Sequence, residues 1–206
     1  MVLVSSVSAA TTIGTGSVVG SGGLTSNVVW NDTFPGTATG TINGLVIKAK
    51  IQPTLSMVIT GSGTIDLGTL DSSVYASGSV NIEIGTNAVL GSSVTAKSTN
   101  AGLKNVTDPT YFLNSLSADG AADSYKFASA IVAATDSTAP GFTQTAALNT
   151  EVNDNTTSHV LYTSNKPQAL SAGTDDFSFT VSAKPNAQSP AGNYSDVVVL
   201  TVTGNF

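Results

Sequence analysis

Apolar and polar residues alternate along most of the chain, and this period of two is the mark of half-buried β-strands. Leu3, Val7, Ala9 and Ile13 share one face of the first such run, separated by Val4, Ser6, Ser8 and Thr12. In NGLVIKAKIQPTLSMVITGSG, Leu45, Ile47, Ala49 and Ile51 share a face; Pro53 interrupts, and Leu55, Met57 and Ile59 resume the pattern. SGSVNIEIGTN sets Val80, Ile82 and Ile84 against Asn81 and Glu83, GSSVTAKSTN follows, and DDFSFTVSAK sends Phe177, Phe179 and Val181 inward. The final run places Tyr194, Val198, Leu200, Val202 and Phe206 on one face.

Between these runs stand NDTFPG, GSGTID, GTNAVLG, DPT, SADG, APGF, SAGTDD and KPNAQSPAGN, each with the Gly, Pro, Asn or Asp that tight turns require. Their spacing, roughly 8–12 residues, is that of an antiparallel sandwich rather than of βαβ units. One segment, AADSYKFASAIVAATD, fits two patterns. As a helix it groups Phe127, Ala130, Ile131 and Ala134 behind a cap at Asp123; as a strand it groups Tyr125, Phe127, Ser129 and Ile131. The strand fits its surroundings better, leaving a short helix in 114–123 as the remaining helical candidate. The pattern predicts an all-β fold, an antiparallel immunoglobulin-like or jelly-roll-type sandwich with an N-terminal strand extension. Residues 1–23 form the extension and a Gly-rich hinge, and 24–206 a single enlarged sandwich.

Composition narrows the function. Only 10% of residues are charged, the net charge is −6, and all seven cationic residues are lysines scattered along the chain. No basic stripe exists to neutralise phosphates, so nucleic acid is not an expected partner. No stretch approaches the roughly 18 apolar residues of a membrane-spanning helix. The absence of cysteine removes disulfides, thiolate catalysis and zinc–thiolate sites. Sequons stand at Asn31, Asn105, Asn155 and Asn193, at the frequency expected by chance in so Asn- and Thr-rich a chain. MVLVSSVSAA ends in small residues like a signal-peptide tail but has no positive n-region, the first lysine being Lys48.

Candidate chemistry is sparse. His159, the only histidine, sits in NTTSHVLYTS with no nucleophile elbow nearby, so it reads as a strand-edge residue and no catalytic residue is assigned. GTGSVVGSGG fits neither the dinucleotide nor the phosphate-loop pattern, and reads as a hinge. Glu151, Asn153, Asp154 and Asn155, then Asp119 and Asp123, then Asp175 and Asp176 are acidic or amide clusters in turns. Calcium is the one ion they suit, with Asp154, Asp175 and Asp176 as first candidates; solvated turns explain them as well, and no cofactor is expected. Trp30 and the tyrosines are too dispersed to mark a glycan platform.

Two stretches carry a resemblance. IDLGTLDSSVYASGSVNIEIGTNAVLGSSVTAKS, with Leu67 and Gly68, resembles the early strands of archaic chaperone–usher pilins and the related spore coat protein U-like domain. SPAGNYSDVVVLTVTGNF resembles their close, through Pro190, Ala191, Gly192, Tyr194, Asp196, Val198, Val202 and Thr203. The chain departs from these pilins in lacking a disulfide and in its long stretch from Asn100 to Gly173. Fibre proteins resembling the TasA family of biofilm matrices share the strategy without cysteines. The resemblance implies a sandwich that lacks one strand and receives it from the N-terminal extension of a neighbour. Leu3, Val7, Ala9 and Ile13 would be the donor strand, and Tyr194, Val198, Leu200, Val202 and Phe206 the acceptor. Identical subunits joined head to tail would form an extracellular, cell-surface filament, a pilus or matrix fibre. The alternative expectation is a monomeric secreted adhesin or glycan-binding module whose N-terminal strand pairs within its own sheet.

Overall fold

A computed structural model describes residues 26–30, 38–42, 47–114, 123–132, 137, 139–170 and 175–206. The chain divides into two compact units, residues 1–51 and 52–206. In the first, β1 (Ser26–Trp30) pairs antiparallel with β2 (Ala38–Ile42). The expected donor strand with Leu3, Val7, Ala9 and Ile13, the boundary near residue 23 and most of the helical candidate in 114–123 lie outside the described residues.

The second unit is all-β, with no helix among the described residues. Its long strands are β3 (Leu55–Thr60), β4 (Ala76–Thr86), β5 (Ser92–Ser98), β8 (Ser124–Ile131), β11 (His159–Ser164), β12 (Phe177–Lys184) and β14 (Val198–Gly204). Short strands are β6 (Leu103–Asn105), β7 (Phe112–Leu113), β9 (Gln144–Thr145), β10 (Asn149–Glu151) and β13 (Tyr194–Ser195). One sheet runs β10-β8-β12-β4-β3, a second runs β14-β5-β11-β9, and β13-β6-β7 form a small third; every pairing is antiparallel.

The two larger sheets pack as a sandwich because both present apolar faces. Ile82, Ile84, Phe127, Phe177 and Phe179 are buried on one, Val94, Ala96, Leu161 and Tyr162 on the other. Tyr162 stacks on Phe177 across the layers at 4.9 Å, and Phe127 meets Phe179 edge-on at 5.2 Å. Ser129 adds a polar tie, its hydroxyl donating to the carbonyl of Leu161 at 2.7 Å and accepting from the amide of Leu148 at 3.1 Å. Phe127→Ala should cost about 3–5 kcal/mol, because the rigid sheets on either side cannot collapse into the space left. A denaturant midpoint unchanged from wild type would contradict this placement of the core.

The ambiguous segment is a strand. β8 lies between β12 and β10, with Phe127 opposite Val181, and buries Tyr125, Phe127 and Ser129 on alternate positions. A helix would have taken the second of five strands out of this sheet and left β10 without its partner. The stretch expected to be a strand at Leu45–Ile51 differs: residues 47–54 form no strand, and Ile47 and Ile51 are 86% and 84% exposed. Alternation there lacks a partner strand among the described residues, and Pro53 removes a main-chain donor just before β3.

Candidate functional site

A groove of about 1090 Å³ lies between the five-stranded sheet, the small sheet and β14. Val80, Tyr125, Phe179 and Val181 line it from the five-stranded sheet. Leu103, Leu113 and Tyr194 line it from the small sheet, and Val198 and Leu200 from β14. Ile59, Ile65, Leu67 and Leu70 form the remaining wall, from β3 and the segment that follows it. Polar residues such as Thr64, Thr69, Asn186, Ser189 and Asn193 share the lining with these apolar ones, and the apolar part suits an extended segment with apolar side chains on one face.

β14 borders the groove as an edge strand, hydrogen-bonded to β5 alone among the described residues. Asn205 donates to the carbonyl of Gly91 at 2.9 Å, and the carbonyl of Val197 accepts from Thr99 at 3.0 Å. Odd-numbered residues therefore bond to β5. In an antiparallel ladder the amides and carbonyls of Val198, Leu200, Val202 and Gly204 then point to the open side. The same even residues carry the half-buried side chains. The edge thus offers main-chain groups beside an apolar surface, as strand addition requires.

The approach to β14 is built by a tyrosine corner, a feature of immunoglobulin-type sandwiches in which a tyrosine bonds back to the turn before its strand. Tyr194 donates to the carbonyl of Pro190 at 2.6 Å and packs edge-on against Tyr111 at 6.4 Å. Between them Gly192 has φ +152°, and a Cβ there would meet the Asn105 amide nitrogen at 3.1 Å. Asn105 is buried because its Oδ1 accepts the amides of Thr107 and Asp108 at 2.8 and 3.0 Å. A glycan at Asn105 is incompatible with this packing, whereas Asn155 and Asn193 are exposed and Asn31 lies outside the described residues.

Two carboxylates fix the rim. Asp123 is fully buried: its Oδ2 accepts the Tyr111 hydroxyl at 2.7 Å, and its Oδ1 accepts Ser189 Oγ at 2.8 Å and the Asn186 amide at 2.6 Å. Asp196 accepts the Tyr125 hydroxyl at 3.0 Å and the Asn100 amide at 3.2 Å. Burial, then the neighbouring Asp196 carboxylate, pushes the Tyr125 phenol above its ordinary value near 10. The neutral phenol is favoured in the folded state, so its contribution is complete below about pH 10 and declines as pH rises further. Urea midpoints measured at pH 9 and 11 should fall for the wild type and fall less for Tyr125→Phe; equal slopes would contradict the linkage.

The calcium candidates are dispersed. Asp154 Oδ1 accepts the amides of Thr156 and Thr157 at 2.7 and 2.6 Å, and the Thr157 hydroxyl bonds to Oδ2 at 2.7 Å. That hydroxyl, followed by the amides, holds its carboxyl well below the usual range. Asp175 accepts from Thr60 and from Asn81, and Asp176 accepts the amide of Ile84 at 2.7 Å. Among the described residues no three carboxylates or histidines gather as a metal cluster would need. His159 begins β11 half-buried, its ring edge-on to Phe127 at 6.0 Å.

Of the residues expected to accept a strand, Tyr194, Val198 and Leu200 line the groove. Val202 packs on the core beyond it, and Phe206 is 56% exposed past the end of β14. The reason is a closure between the two sheets. A Cβ at Gly204 would come within 3.5 Å of Leu55 on β3 and 2.9 Å of the Phe206 ring, so the edges meet there. The groove wall formed by Ile65 and Leu70 lies in a connection without strand structure, and of its residues the resemblance points only to Leu67. No protein-family model matches the chain, and no curated protein matches it.

Proposed function

We propose that this protein is the structural subunit of an extracellular filament, joined head to tail when the N-terminal segment of one copy enters the groove beside β14 of the next. The observation that carries this reading is the coincidence of an apolar groove with the open edge of β14. Residues 1–25 contain no charged residue and alternate apolar and small polar positions before a run of glycines. Such a segment can bury Leu3, Val7, Ala9 and Ile13 without burying a charge. Its main chain would satisfy the outward groups of β14 as an added strand. Each copy carries one donor segment and one acceptor groove, so a head-to-tail contact that repeats without closing yields a thread.

Electron microscopy of the purified full chain tests this directly. Threads that disappear on Val7→Asp, with the sandwich still folded by circular dichroism, are the expected result, since a charge would enter an apolar groove. Uniform single particles at high concentration would favour a monomeric binding module.

A further inference from the structure

The segment between β3 and β4, residues 61–75, crosses the groove in a way that resembles the strand proposed to enter it. Ile65 and Leu67 are half-buried, whereas Asp66 and Gly68 are exposed, the same in–out alternation as a donor strand. Ile65, Leu67 and Leu70 lie against the core and line the groove opposite Val198 and Leu200. The contact is close because β4 has a glycine there. A Cβ at Gly78 would fall 2.6 Å from Ile65 Cγ2 and 3.6 Å from Leu67 Cδ2.

Side chains hold this strap, and main chain does not. Among the described residues, the hydrogen bonds of Ser62, Thr64, Asp66 and Gly68 stay within the strap: Ser62 Oγ to the Thr64 carbonyl, and the Gly68 amide to Asp66 Oδ1. Its one bridge, Asp71 to Val74, is also internal. Among the described residues no main-chain bond ties Thr64–Leu70 to either sheet. Gly61 at φ +100° and Gly68 at φ +65° sit in the left-handed region, with open space around both. An apolar pair seated by packing alone, between two glycine turns, can be exchanged for another without breaking a ladder.

We infer that Ile65 and Leu67 are an internal placeholder for the incoming strand, leaving the inner face of β4 at Gly78 when the neighbour's N-terminal segment arrives. This rests on the strand-accepting reading above. The strap shields apolar surface in the free subunit and sets how fast the groove can be filled, so chain growth is limited by its release.

A covalent lock tests the exchange. The chain has no cysteine, and the approach of Gly78 to Ile65 Cγ2 suits a disulfide, whose Cβ atoms lie about 3.5–4.5 Å apart. In the full-length Ile65→Cys, Gly78→Cys variant, thread elongation followed by light scattering should slow at least about tenfold on oxidation and recover on reduction, given the burial of one or two apolar side chains at stake. Ile65→Ala, which keeps Gly78, should elongate faster than wild type although it is less stable. Equal rates for the oxidised and reduced variant, or slower growth of Ile65→Ala, would overturn the placeholder and leave strand donation standing. Failure of the wild type and the reduced variant alike to elongate would sink strand donation, and the placeholder with it.

Discussion

Deleting residues 2–13 should abolish thread formation while leaving a folded sandwich that still takes up the free 2–13 peptide. The deleted segment carries the alternating face of Leu3, Val7, Ala9 and Ile13, and none of the described strands of the second unit includes it. At roughly 25 cal/mol per Å² of apolar surface, burying those side chains supplies several kcal/mol before association costs. The loss is all-or-none because each junction of a linear polymer depends on the same contact. Electron microscopy of the deletion protein, with and without peptide, reads both halves of the expectation. Normal threads from the deletion protein would rule out the donor segment. A protein too unstable to fold would instead place the segment within its own sandwich, since a strand of the subunit's own core cannot be removed without cost.

Gly91→Ala should have the largest effect of any single small substitution, lowering stability by about 3–5 kcal/mol. Gly91 ends the turn between β4 and β5 at φ +73°, where an L-residue is strained. An added Cβ would lie 2.2 Å from the carbonyl oxygen of Ser164 and 2.8 Å from the amide of Asn165, both main-chain atoms that cannot rotate away. The carbonyl of Gly91 also accepts the Asn205 amide, and Ser92 bonds to Ser164 Oγ at 3.0 Å. The substitution therefore disturbs the turn, β11 and the end of β14 together. A thermal melt within a few degrees of wild type would contradict this geometry.

These contacts mark where sequence reading reaches its limit. Period-2 alternation identified the buried faces of β4, β12 and β14, since Ile82, Ile84, Phe177 and Phe179 each leave water by the same geometric rule. It failed at Ile47 and Ile51, because alternation says that a strand could bury one face and nothing about whether a partner is present. The turn GTNAVLG was legible as a turn, but the reason for its last glycine, the main chain of Ser164, comes from a distant strand. The acceptor was partly legible for the same reason. Val198 and Leu200 follow from the pattern, whereas the closure of Gly204 on Leu55 and the strap's Ile65 depend on long-range packing. His159 and the acidic turns carried enough polar chemistry to raise catalytic or calcium readings. The structure instead finds Asp123 and Asp196 accepting bonds from tyrosines and main-chain amides at the groove rim.

The central claim, that the open edge of β14 accepts a strand, is tested most directly by amide hydrogen exchange on the full chain carrying Val7→Asp, which cannot donate its own segment well. Adding excess wild-type 2–13 peptide should slow exchange at Val198 and Leu200, the groove-lining amides directed away from β5, and leave Val199, Thr201 and Thr203 already protected. Unchanged exchange at those two amides under saturating peptide would contradict it.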